Sequence, residues 1–304
     1  MGQSERQCAV FGANGYIGRH LVDALMRSGI CVKAFDVQEF PFSAGVDYRK
    51  VDISDPSMLQ DISWDVDAVY MFAGITGTYD GFVEYEKFTF VNEIGLLNIL
   101  NAIRQSAFRP KVIFPSTRLV YQGSDSPLRE EAAKMPKTIY ATNKLACEYN
   151  LEEYRNVFDI DYTIYRICVP YGNLVGQDIS YGTIGFFLSQ AKASRQINLY
   201  GDGSLRRTFT HIEDICEQIL ATAEDTRSSG EIFNILGEDY SLRDAATIIA
   251  RRYGAELNYV PWPEEQLRIE SGHTVFNADK IRSSFAIDLR HRFTAWIDGI
   301  QVGR

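Results

Sequence analysis

Three evenly spaced glycines stand at the first junction between a predicted strand and a predicted helix. The apolar run Cys8–Phe11 predicts a buried strand, and 16–27 has the apolar spacing of an amphipathic helix. Gly12, Gly15 and Gly18 separate the two elements. In such a junction the first glycine permits a tight turn, the second lets a bound group approach the backbone, and the third brings the helix close to the sheet. The chain is therefore constrained to begin as a strand–turn–helix unit of an α/β sheet.

The same alternation of short apolar runs and helical patterns continues through the first half of the chain. Further strands are predicted at 31–35, 47–51, 68–72, 111–115 and 162–168. Two long helices are predicted at about 85–105 and 138–155. Strict alternation implies right-handed crossovers and a parallel sheet that is covered on both faces. The predicted fold is therefore α/β, a Rossmann-type doubly wound parallel sheet.

After Pro170 this regular alternation ends, and short helices mix with short strands. Helices are predicted at 182–193, 211–224 and 241–253, and strands at 196–199, 232–236 and 257–260. Glycine and proline mark the joins between them. We expect a larger domain over 1–169, to which some later segments return, and a smaller C-terminal α/β lobe over 170–304 that mainly binds substrate.

An acidic residue after the second predicted strand indicates which ligand the glycine turn would bind. Asp36 is placed to bind the ribose diol of an adenosine, and its charge would repel a 2′-phosphate. A pyrophosphate would lie at the N-terminus of the first helix, beside Tyr16 and Ile17. A glycine triplet alone is weak evidence, but strand, triplet, helix, strand and acid occur here in the expected order. The sequence therefore predicts NAD rather than NADP, bound by the 1–169 domain.

Tyr140 and Lys144 stand four residues apart in the second long helix. This spacing places both on one helix face, about 6 Å apart along the axis. A nearby ammonium group favours the ionised phenol, which is otherwise a poor base at neutral pH. Such a tyrosine can take a proton from a sugar hydroxyl while the carbon beneath it gives up a hydride. Alone, this pair would more often be an ordinary surface feature, and the dinucleotide signature reverses that interpretation.

Composition argues against several other classes of protein. A formal net charge of −9 disfavours a nucleic-acid binder with a broad basic face. Five cysteines without a C-x-x-C pair indicate a reducing compartment, and four scattered histidines predict no metal site. Neither a signal peptide nor a membrane span is predicted. We therefore expect a cytoplasmic protein without a nucleic-acid or membrane partner.

Taken together, the motifs resemble the extended short-chain dehydrogenase/reductase family, in its nucleotide-sugar epimerase and dehydratase branch. The resemblance covers nearly the whole chain and is specific to the family, although not to one substrate. Its motifs are the glycine turn, Asp36, Asp52-Ile53, Ala73-Gly74, Val91-Asn92, Pro115-Ser116-Thr117, Val120-Tyr121, the Tyr140/Lys144 pair, Arg166, Tyr171-Gly172, and Gly201-Asp202-Gly203 with Arg207, Phe209 and Asp214.

The resemblance implies roles for matching residues. Tyr140 would be the general base and acid, Lys144 would bind the nicotinamide ribose, and Thr117 would hydrogen-bond the reacting hydroxyl. Arg207 would grip the substrate diphosphate, with the more loosely matched Arg268 as a second clamp. Further implied contacts are Asp52, Ile53, Ala73 and Gly74 for the cofactor and Thr76, Thr117 and Val169 for the substrate. The two long helices would pair across a two-fold axis to form a homodimer.

Asp52 and Ile53 can be interpreted in a second way, besides a contact with the cofactor. They also fit a helix N-cap region that leads into Ser54, Asp55 and Pro56, where aspartate and serine are common. The residues alone do not decide between an adenine contact and a cap.

Two departures from the family pattern bear on the reaction. Dehydratases of this branch carry an Asp-Glu pair after the threonine, to protonate and remove the C6 hydroxyl, whereas this chain has Arg118 and Leu119. Leucine cannot transfer a proton, so a 4,6-dehydratase is disfavoured. Val169 stands where the family has an asparagine that contacts the sugar nucleotide, which leaves the substrate orientation open.

The sequence favours an NAD-dependent nucleotide-sugar epimerase that acts at C4 through a 4-keto intermediate. Bound NAD would be regenerated in each turnover, so no external reductant would be needed. The alternative is a nucleotide-sugar 4-keto reductase or 4-dehydrogenase with the same tyrosine, lysine and threonine. A third interpretation, a non-catalytic sensor with the cofactor fold, is disfavoured by the intact set of catalytic residues.

Overall fold

The computed structural model describes residues 6–175, 177 and 180–301. The chain divides into two compact units. Unit 1 comprises Met1–Val120, Pro136–Arg166 and Ile219–Phe233, and unit 2 comprises Tyr121–Met135, Ile167–Gln218 and Asn234–Arg304. None of the helices in the described ranges combines the length and the apolar character that crossing a bilayer requires.

The described residues form the following elements. The strands are β1 (Gln7–Phe11), β2 (Cys31–Asp36), β3 (Asp47–Lys50), β4 (Ala68–Met71), β5 (Lys111–Thr117), β6 (Tyr162–Ile167), β7 (Val169–Tyr171), β8 (Gln196–Tyr200), β9 (Arg206–His211), β10 (Glu231–Asn234), β11 (Glu238–Ser241) and β12 (Glu256–Val260). The helices are α1 (Tyr16–Arg27), α2 (Asp80–Val83), α3 (Tyr85–Thr89), α4 (Gly95–Gln105), α5 (Ile139–Phe158), α6 (Gly182–Ser194), α7 (Ile212–Ala223), α8 (Leu242–Tyr253), α9 (Glu264–Ile269), α10 (Asp279–Phe285) and α11 (Phe293–Gly299). Short 3-10 turns lie at Pro56–Leu59, Arg118–Val120 and Thr226–Ser228, and a π-helical turn lies at Phe90–Ile94.

A seven-stranded sheet forms the centre of unit 1, in the order β10-β6-β5-β4-β1-β2-β3. β1 pairs in parallel with β2 and β4, and the pairs β2–β3 and β4–β5 are also parallel. Strand order reverses at β1, with β2 on one side and β4 on the other. Open α/β sheets bind ligands at such a reversal, beyond the carboxyl ends of the strands. The predicted Rossmann-type doubly wound sheet is therefore confirmed.

The core of unit 1 is built from strand residues and the apolar faces of the helices that cover them. Phe11 of β1 stacks on Phe35 of β2 with ring centroids 4.7 Å apart, and Trp64 lies 6.1 Å from Phe11 on the same core. α4 contributes fully buried side chains at helical spacing, which are Leu96, Ile99, Leu100 and Ile103. This packing fixes the carboxyl end of β1, where the glycine turn begins.

The helix predicted over about 85–105 contains a π-helical turn. α3, the turn Phe90–Ile94 and α4 follow one another directly along the chain. Asn92 lies in this turn and is buried. Its Oδ1 accepts the N–H of Ile75 at 2.8 Å, and its Nδ2 donates to the Ile75 carbonyl at 3.0 Å. The π turn therefore anchors the segment that follows β4, which agrees with the frequent occurrence of such turns at functional sites.

Unit 2 contains two small sheets with the strand orders β11-β9-β7 and β12-β8. β7 and β9 are parallel, β11 and β9 are antiparallel, and β12 and β8 are parallel. Buried residues of α6, α8 and α11 pack together in a second core cluster. β9 was not among the predicted strands, because Arg206 and Arg207 hide its apolar alternation. Every β9 residue after Arg206 is buried, which a single sequence could not indicate.

Replacing Gly18 by alanine is expected to destabilise unit 1. A Cβ on Gly18 would lie 1.9 Å from the Gly12 carbonyl oxygen, a backbone atom that can move only if the turn opens. We expect a loss of about 3 kcal/mol in the free energy of unfolding, measured by urea denaturation. Gly299→Ala is the control, since its added Cβ would lie in open space among the described residues. Equal stability of the two variants would contradict the close packing inferred for the turn.

Candidate active site

The glycine turn after β1 leaves no room for a side chain at Gly12 or Gly18. Gly12 has a φ of +82°, and a Cβ there would lie 2.4 Å from the backbone nitrogen of Ala73. α1 begins after Gly15, with no side-chain cap and no acidic residue in its first turn. Backbone N–H groups at such a helix start attract phosphate, because they lack partners within the helix and carry the positive end of its dipole. The start of α1 therefore suits the pyrophosphate of a dinucleotide in polarity.

Asp36 ends β2 and hydrogen-bonds to the glycine turn. Its Oδ2 accepts the N–H of Asn14 at 2.9 Å, and its Oδ1 accepts the N–H of Gln38 at 3.3 Å. The buried Asn14 side chain also fixes the following loop, through bonds of 2.8 Å to the backbone of Phe40 and of Phe42. The carboxylate predicted to bind ribose thus stands beside the predicted phosphate turn. Asn14 was missed by sequence reasoning, because an asparagine in a turn is unremarkable on its own.

Asp52 and Ile53 both have structural partners. Asp52 Oδ1 accepts the N–H of Ser54 at 2.9 Å and its hydroxyl at 2.6 Å, while Asp55 caps the short helix that follows. Ile53 is buried in the core of unit 1, and a Cβ on Gly95 would lie 2.5 Å from its Cδ1. These contacts match the turn interpretation of the segment, and an adenine contact of the two residues stays a prediction.

The segment after β4 meets α5 and the π turn at Gly74. A Cβ on Gly74 would lie 2.9 Å from Oδ1 of Asn92 and 4.0 Å from Nζ of Lys144. Ala73 lies against Gly12, as described above, so the two residues predicted after β4 connect the glycine turn with the predicted catalytic lysine. Thr76, a little further along, is exposed.

α5 carries Tyr140 and Lys144 on successive turns. The helix begins after Thr138, whose side chain accepts the N–H of Ala141 at 3.1 Å as an N-cap. Tyr140 is half-buried, whereas Lys144 is only 6% exposed. The structure therefore places the two residues on one helix, at the spacing from which a shared face was predicted.

The ammonium group of Lys144 is held by the end of β5. Its Nζ donates to the Pro115 carbonyl at 2.8 Å and lies 4.3 Å from the centre of the Phe114 ring. Burial lowers the pKa of Lys144 to about 8, although the nearby Cys147 and Glu148 act to raise it. Lys144 is thus a buried cation that loses its proton just above neutral pH.

Thr117 is the last residue of β5 and is buried. Its Oγ1 accepts the N–H of Leu119 at 3.3 Å, so its own hydroxyl proton can be donated to a substrate oxygen. Pro115, the partner of Lys144, lies two residues earlier on the same strand. β5 and α5 of unit 1 therefore carry all three predicted catalytic residues.

A buried network that sequence reasoning missed lies one helical turn beyond Lys144. Glu148 of α5 accepts hydrogen bonds from Arg166 of β6 and from the hydroxyl of Ser116 of β5. The i, i+4 spacing of Lys144 and Glu148 was visible in the sequence. It gave no signal of burial, because a glutamate on a helix is usually solvated.

The arginine predicted to grip a diphosphate is buried in unit 2. Arg207 is 2% exposed, its Nη2 lies 2.5 Å from Oε1 of Glu270, and its Nη1 donates to the carbonyls of Arg206 and Gly272. A diphosphate would therefore have to compete with a carboxylate for this guanidinium. The substrate-binding role of Arg207 stays a prediction.

The other two predicted substrate residues of unit 2 differ in exposure. Val169 begins β7, is buried, and pairs with Phe209 of β9. Arg268 lies on α9, is exposed, and forms an ion pair with Glu264 one turn earlier. Their contacts with substrate stay predictions.

Two of the four histidines, which are far apart in the sequence, meet in unit 2. His211 and His291 stack with ring centroids 4.3 Å apart. Nδ1 of His291 lies 2.8 Å from Asp214, and its Nε2 lies 3.2 Å from Glu213. With a carboxylate beside each nitrogen, His291 bridges the start of α7 and the segment before α11. This grouping of donor atoms was not predicted, and the predicted absence of a metal stays a prediction.

Residues 8–235 match the model of the NAD dependent epimerase/dehydratase family. The chain belongs to this family. Apart from Arg268, every predicted cofactor, catalytic and substrate residue lies within the match. Membership confirms the predicted enzyme class, an extended short-chain dehydrogenase/reductase, and NAD as its cofactor. The glycine cradle and Asp36, described above, fit that cofactor.

Curated relatives and solved structures of this family resemble the chain over most of its length. A UDP-N-acetyl-alpha-D-glucosaminuronate decarboxylase from Bacillus cytotoxicus is 27% identical, over 86% of this chain and 85% of its own. A UDP-glucose 4-epimerase from Mycolicibacterium smegmatis is 26% identical, over 81% and 82%. The structure of UDP-glucuronic acid 4-epimerase from Bacillus cereus, with UDP-glucuronic acid and NAD, superposes with a TM-score of 0.83 at 22% identity, covering 96% of both chains. These relatives are named for different reactions, a decarboxylation and two epimerisations.

Lys144 should make the stability of the protein depend on pH. Burial lowers its pKa from the usual 10.5 to about 8, so between these values the unfolded chain binds more protons and stability rises with pH. Relative to Lys144→Met, the wild type should gain about 2 kcal/mol of unfolding free energy from pH 7 to pH 10, measured by urea denaturation. Lys192→Met, at an exposed lysine, is the control. Relative to this variant, the wild type should gain no unfolding free energy from pH 7 to pH 10. A constant difference between wild type and Lys144→Met across this range would contradict the burial of a charged lysine.

Proposed function

We propose that this protein is an NAD-dependent nucleotide-sugar 4-epimerase. The observation that carries the proposal is the arrangement of Tyr140, Lys144 and Thr117 on α5 and the end of β5. Lys144 connects this pair of elements to Gly74, and thereby to the cofactor turn. A base, a buried cation and a hydroxyl donor beside a dinucleotide site suit reversible oxidation of a secondary alcohol.

Each of the three residues has a distinct task in this proposal. Tyr140 accepts the proton of the C4 hydroxyl and later returns it to the C4 oxygen. Lys144, charged at neutral pH, stabilises the phenolate and binds the nicotinamide ribose. Thr117 donates its hydroxyl proton to the C4 oxygen and fixes its position. When bound, NAD supplies the acceptor and later the donor of the C4 hydride.

Inversion at C4 requires that the 4-keto sugar turn over within the site before reduction. The net reaction consumes neither cofactor nor water, so a single bound NAD suffices. Two of the relatives reported above are named for epimerisation at C4 of UDP sugars, which supports this reaction at the level of the family. Arg118 and Leu119 after Thr117 supply no acid–base pair for removal of the C6 hydroxyl, so a 4,6-dehydratase is disfavoured.

The substrate is proposed to be a sugar joined to a nucleoside diphosphate. In the family resemblance, Arg207 and Arg268 bind the diphosphate, while Thr76 and Val169 contact the sugar. Arg207 forms an ion pair with Glu270 in the described structure. On binding, the diphosphate oxygens would replace the Glu270 carboxylate as the partner of the guanidinium.

The first experiment measures what copurifies with the protein and what it converts. Native mass spectrometry should show stoichiometric NAD, and incubation with UDP-, dTDP-, CDP- and GDP-hexoses or hexuronates should yield one C4 epimer without added reductant. Tyr140→Phe should keep NAD and lose at least about 100-fold in kcat, because general acid–base catalysis contributes that much. Apo protein that consumes NADH with a 4-keto sugar would instead identify the 4-keto reductase. Full activity of Tyr140→Phe would refute the catalytic assignment.

A homodimer is proposed through the helices α2, α3 and α5 of unit 1. These helices, the π turn and the residue before α2 expose large apolar side chains, which are Tyr79, Phe82, Val83, Tyr85, Phe90, Tyr149 and Val157. An exposed cluster of aromatic residues is typical of a protein interface. The pairing of two long helices from each copy is the arrangement that the family resemblance implies.

Charged substitutions at this surface should separate the two copies. Tyr85→Glu combined with Tyr149→Glu would place four like charges in the proposed interface of a dimer, and sedimentation should then show only monomer. Phe40→Glu is the control, because Phe40 is more exposed than either residue but lies in the loop after β2. Monomeric wild-type protein at micromolar concentration would contradict the dimer.

The cytoplasmic location also stays a proposal. Three of the five cysteines are buried, which are Cys8, Cys147 and Cys216. Thiols used as small core residues are typical of a reducing compartment.

A further inference from the structure

Unit 1 buries two oppositely charged side chains next to its catalytic helix face. Glu148 lies on α5, one turn after Lys144, and Arg166 lies on β6. Arg166 donates to Glu148 through Nε at 3.0 Å and through Nη2 at 2.5 Å. The side chains are 2% and 3% exposed, for arginine and glutamate respectively. Ser116 of β5 adds a hydroxyl donor to Glu148, so the carboxylate joins three elements.

Stability alone does not explain this pair. Burying two charges removes their hydration, and apolar residues of similar volume commonly stabilise a fold as well or better. Two hydrogen bonds from Arg166 and one from Ser116 satisfy the carboxylate of Glu148. They reduce the free-energy cost of burying the charged pair, but they do not make it more stabilising than an apolar pair. The position of the pair next to Lys144 therefore points to a function for the charge.

The groups around Lys144 make Glu148 the important anion. Cys147 and Glu148 of α5 act on Lys144, and Arg166 of β6 pairs with Glu148. Glu93 of the π turn acts on Cys147 and accepts from Asn143 at 3.1 Å. Burial raises the pKa of Cys147 to about 12, so this thiol is neutral at physiological pH. Glu93 is only half-buried and is therefore partly screened by water. With the Cys147 thiol neutral, the buried carboxylate of Glu148 is the charged group that opposes deprotonation of Lys144.

Glu148 also connects α5 to the strand that carries Thr117. Ser116 precedes Thr117 on β5, and Pro115 before it accepts the hydrogen bond of Lys144. Two bonds from consecutive β5 residues to side chains one turn apart on α5 hold the strand end in a fixed register with the helix. Catalytic groups need such support, since a misplacement of 1 Å can cost about 100-fold in rate.

We propose that Glu148, anchored by Arg166, is a positioning residue that keeps Lys144 charged at neutral pH and fixes the end of β5 against α5. The consequence for turnover rests on the proposed function. The effect on the charge of Lys144 does not, because it is a property of the protein without substrate.

The decisive measurement is the titration of Lys144 itself, followed by NMR of 13Cε-lysine-labelled protein. The Lys144 signal is assigned by its absence in Lys144→Met. Glu148→Gln should lower the pKa of Lys144 by about one pH unit or more. Ser116→Ala is the matched control, since it removes one bond to Glu148 and keeps both charges, and should leave that pKa within about 0.3 units of the wild type.

Glu148→Gln removes the buried carboxylate that pairs with Arg166, and the variant can fail to fold. The variant Glu148→Gln/Arg166→Met removes both charges and provides the measurement in that case, with circular dichroism and urea denaturation to establish the fold. A pKa of Lys144 that is lowered in the double variant supports the proposal, because the single variant leaves the charge of Arg166 to lower that pKa by itself. An unchanged pKa in the folded double variant overturns the proposal, whatever Glu148→Gln shows.

Turnover provides the second measurement. If a C4 epimer is formed, the alkaline limit of kcat should move to lower pH in the folded Glu148 variant by the same amount as the Lys144 titration. A purely structural role would lower kcat equally at every pH. If the wild type converts no nucleotide sugar, the proposed function fails, while the NMR titration still decides the role of Glu148.

Discussion

The burial of one ammonium group organises the predicted catalytic centre. Lys144 is almost completely buried. Its ammonium group donates to the Pro115 carbonyl at 2.8 Å and lies 4.3 Å from the centre of the Phe114 ring, and these contacts partly replace its hydration. These partners fix the register of α5 on β5, so the helix that carries Tyr140 has one position relative to the strand that carries Thr117. Gly74 belongs to the same arrangement, because any side chain there would collide with Asn92 beside the lysine.

Local patterns in the sequence predicted the first half of the fold well. α1 has the predicted bounds Tyr16–Arg27, and the seven-stranded sheet follows from the alternation of apolar strands and amphipathic helices. The glycine turn was predictable because the missing side chains at Gly12 and Gly18 are themselves the signal. β9 was not predictable, because Arg207 is buried through a partner distant in sequence, Glu270.

In the candidate site, too, some features could be predicted from local sequence, and others depend on residues distant in the chain. The spacing of Tyr140 and Lys144 could be interpreted directly, since a helix fixes which residues share a face. The π turn could not be predicted, because Asn92 is held by Ile75, seventeen residues earlier in the chain. The pair of Glu148 and Arg166 was equally hidden, because burial of a charge depends on what the rest of the chain places around it. Sequence motifs thus indicated the chemistry, whereas the surroundings that tune it required the folded chain.

One strand of the sheet has a consequence for how the chain is made. β10 borders β6 at one end of the sheet, and the Gly230 N–H just before it bonds to Tyr162 at 2.8 Å. A ribosome must therefore synthesise more than two hundred residues before the β6 edge can be covered. Until then the nascent sheet presents an unpaired apolar strand, a state that favours aggregation. A chain of this design is expected to depend on chaperones during translation more than a protein whose edge strands come early.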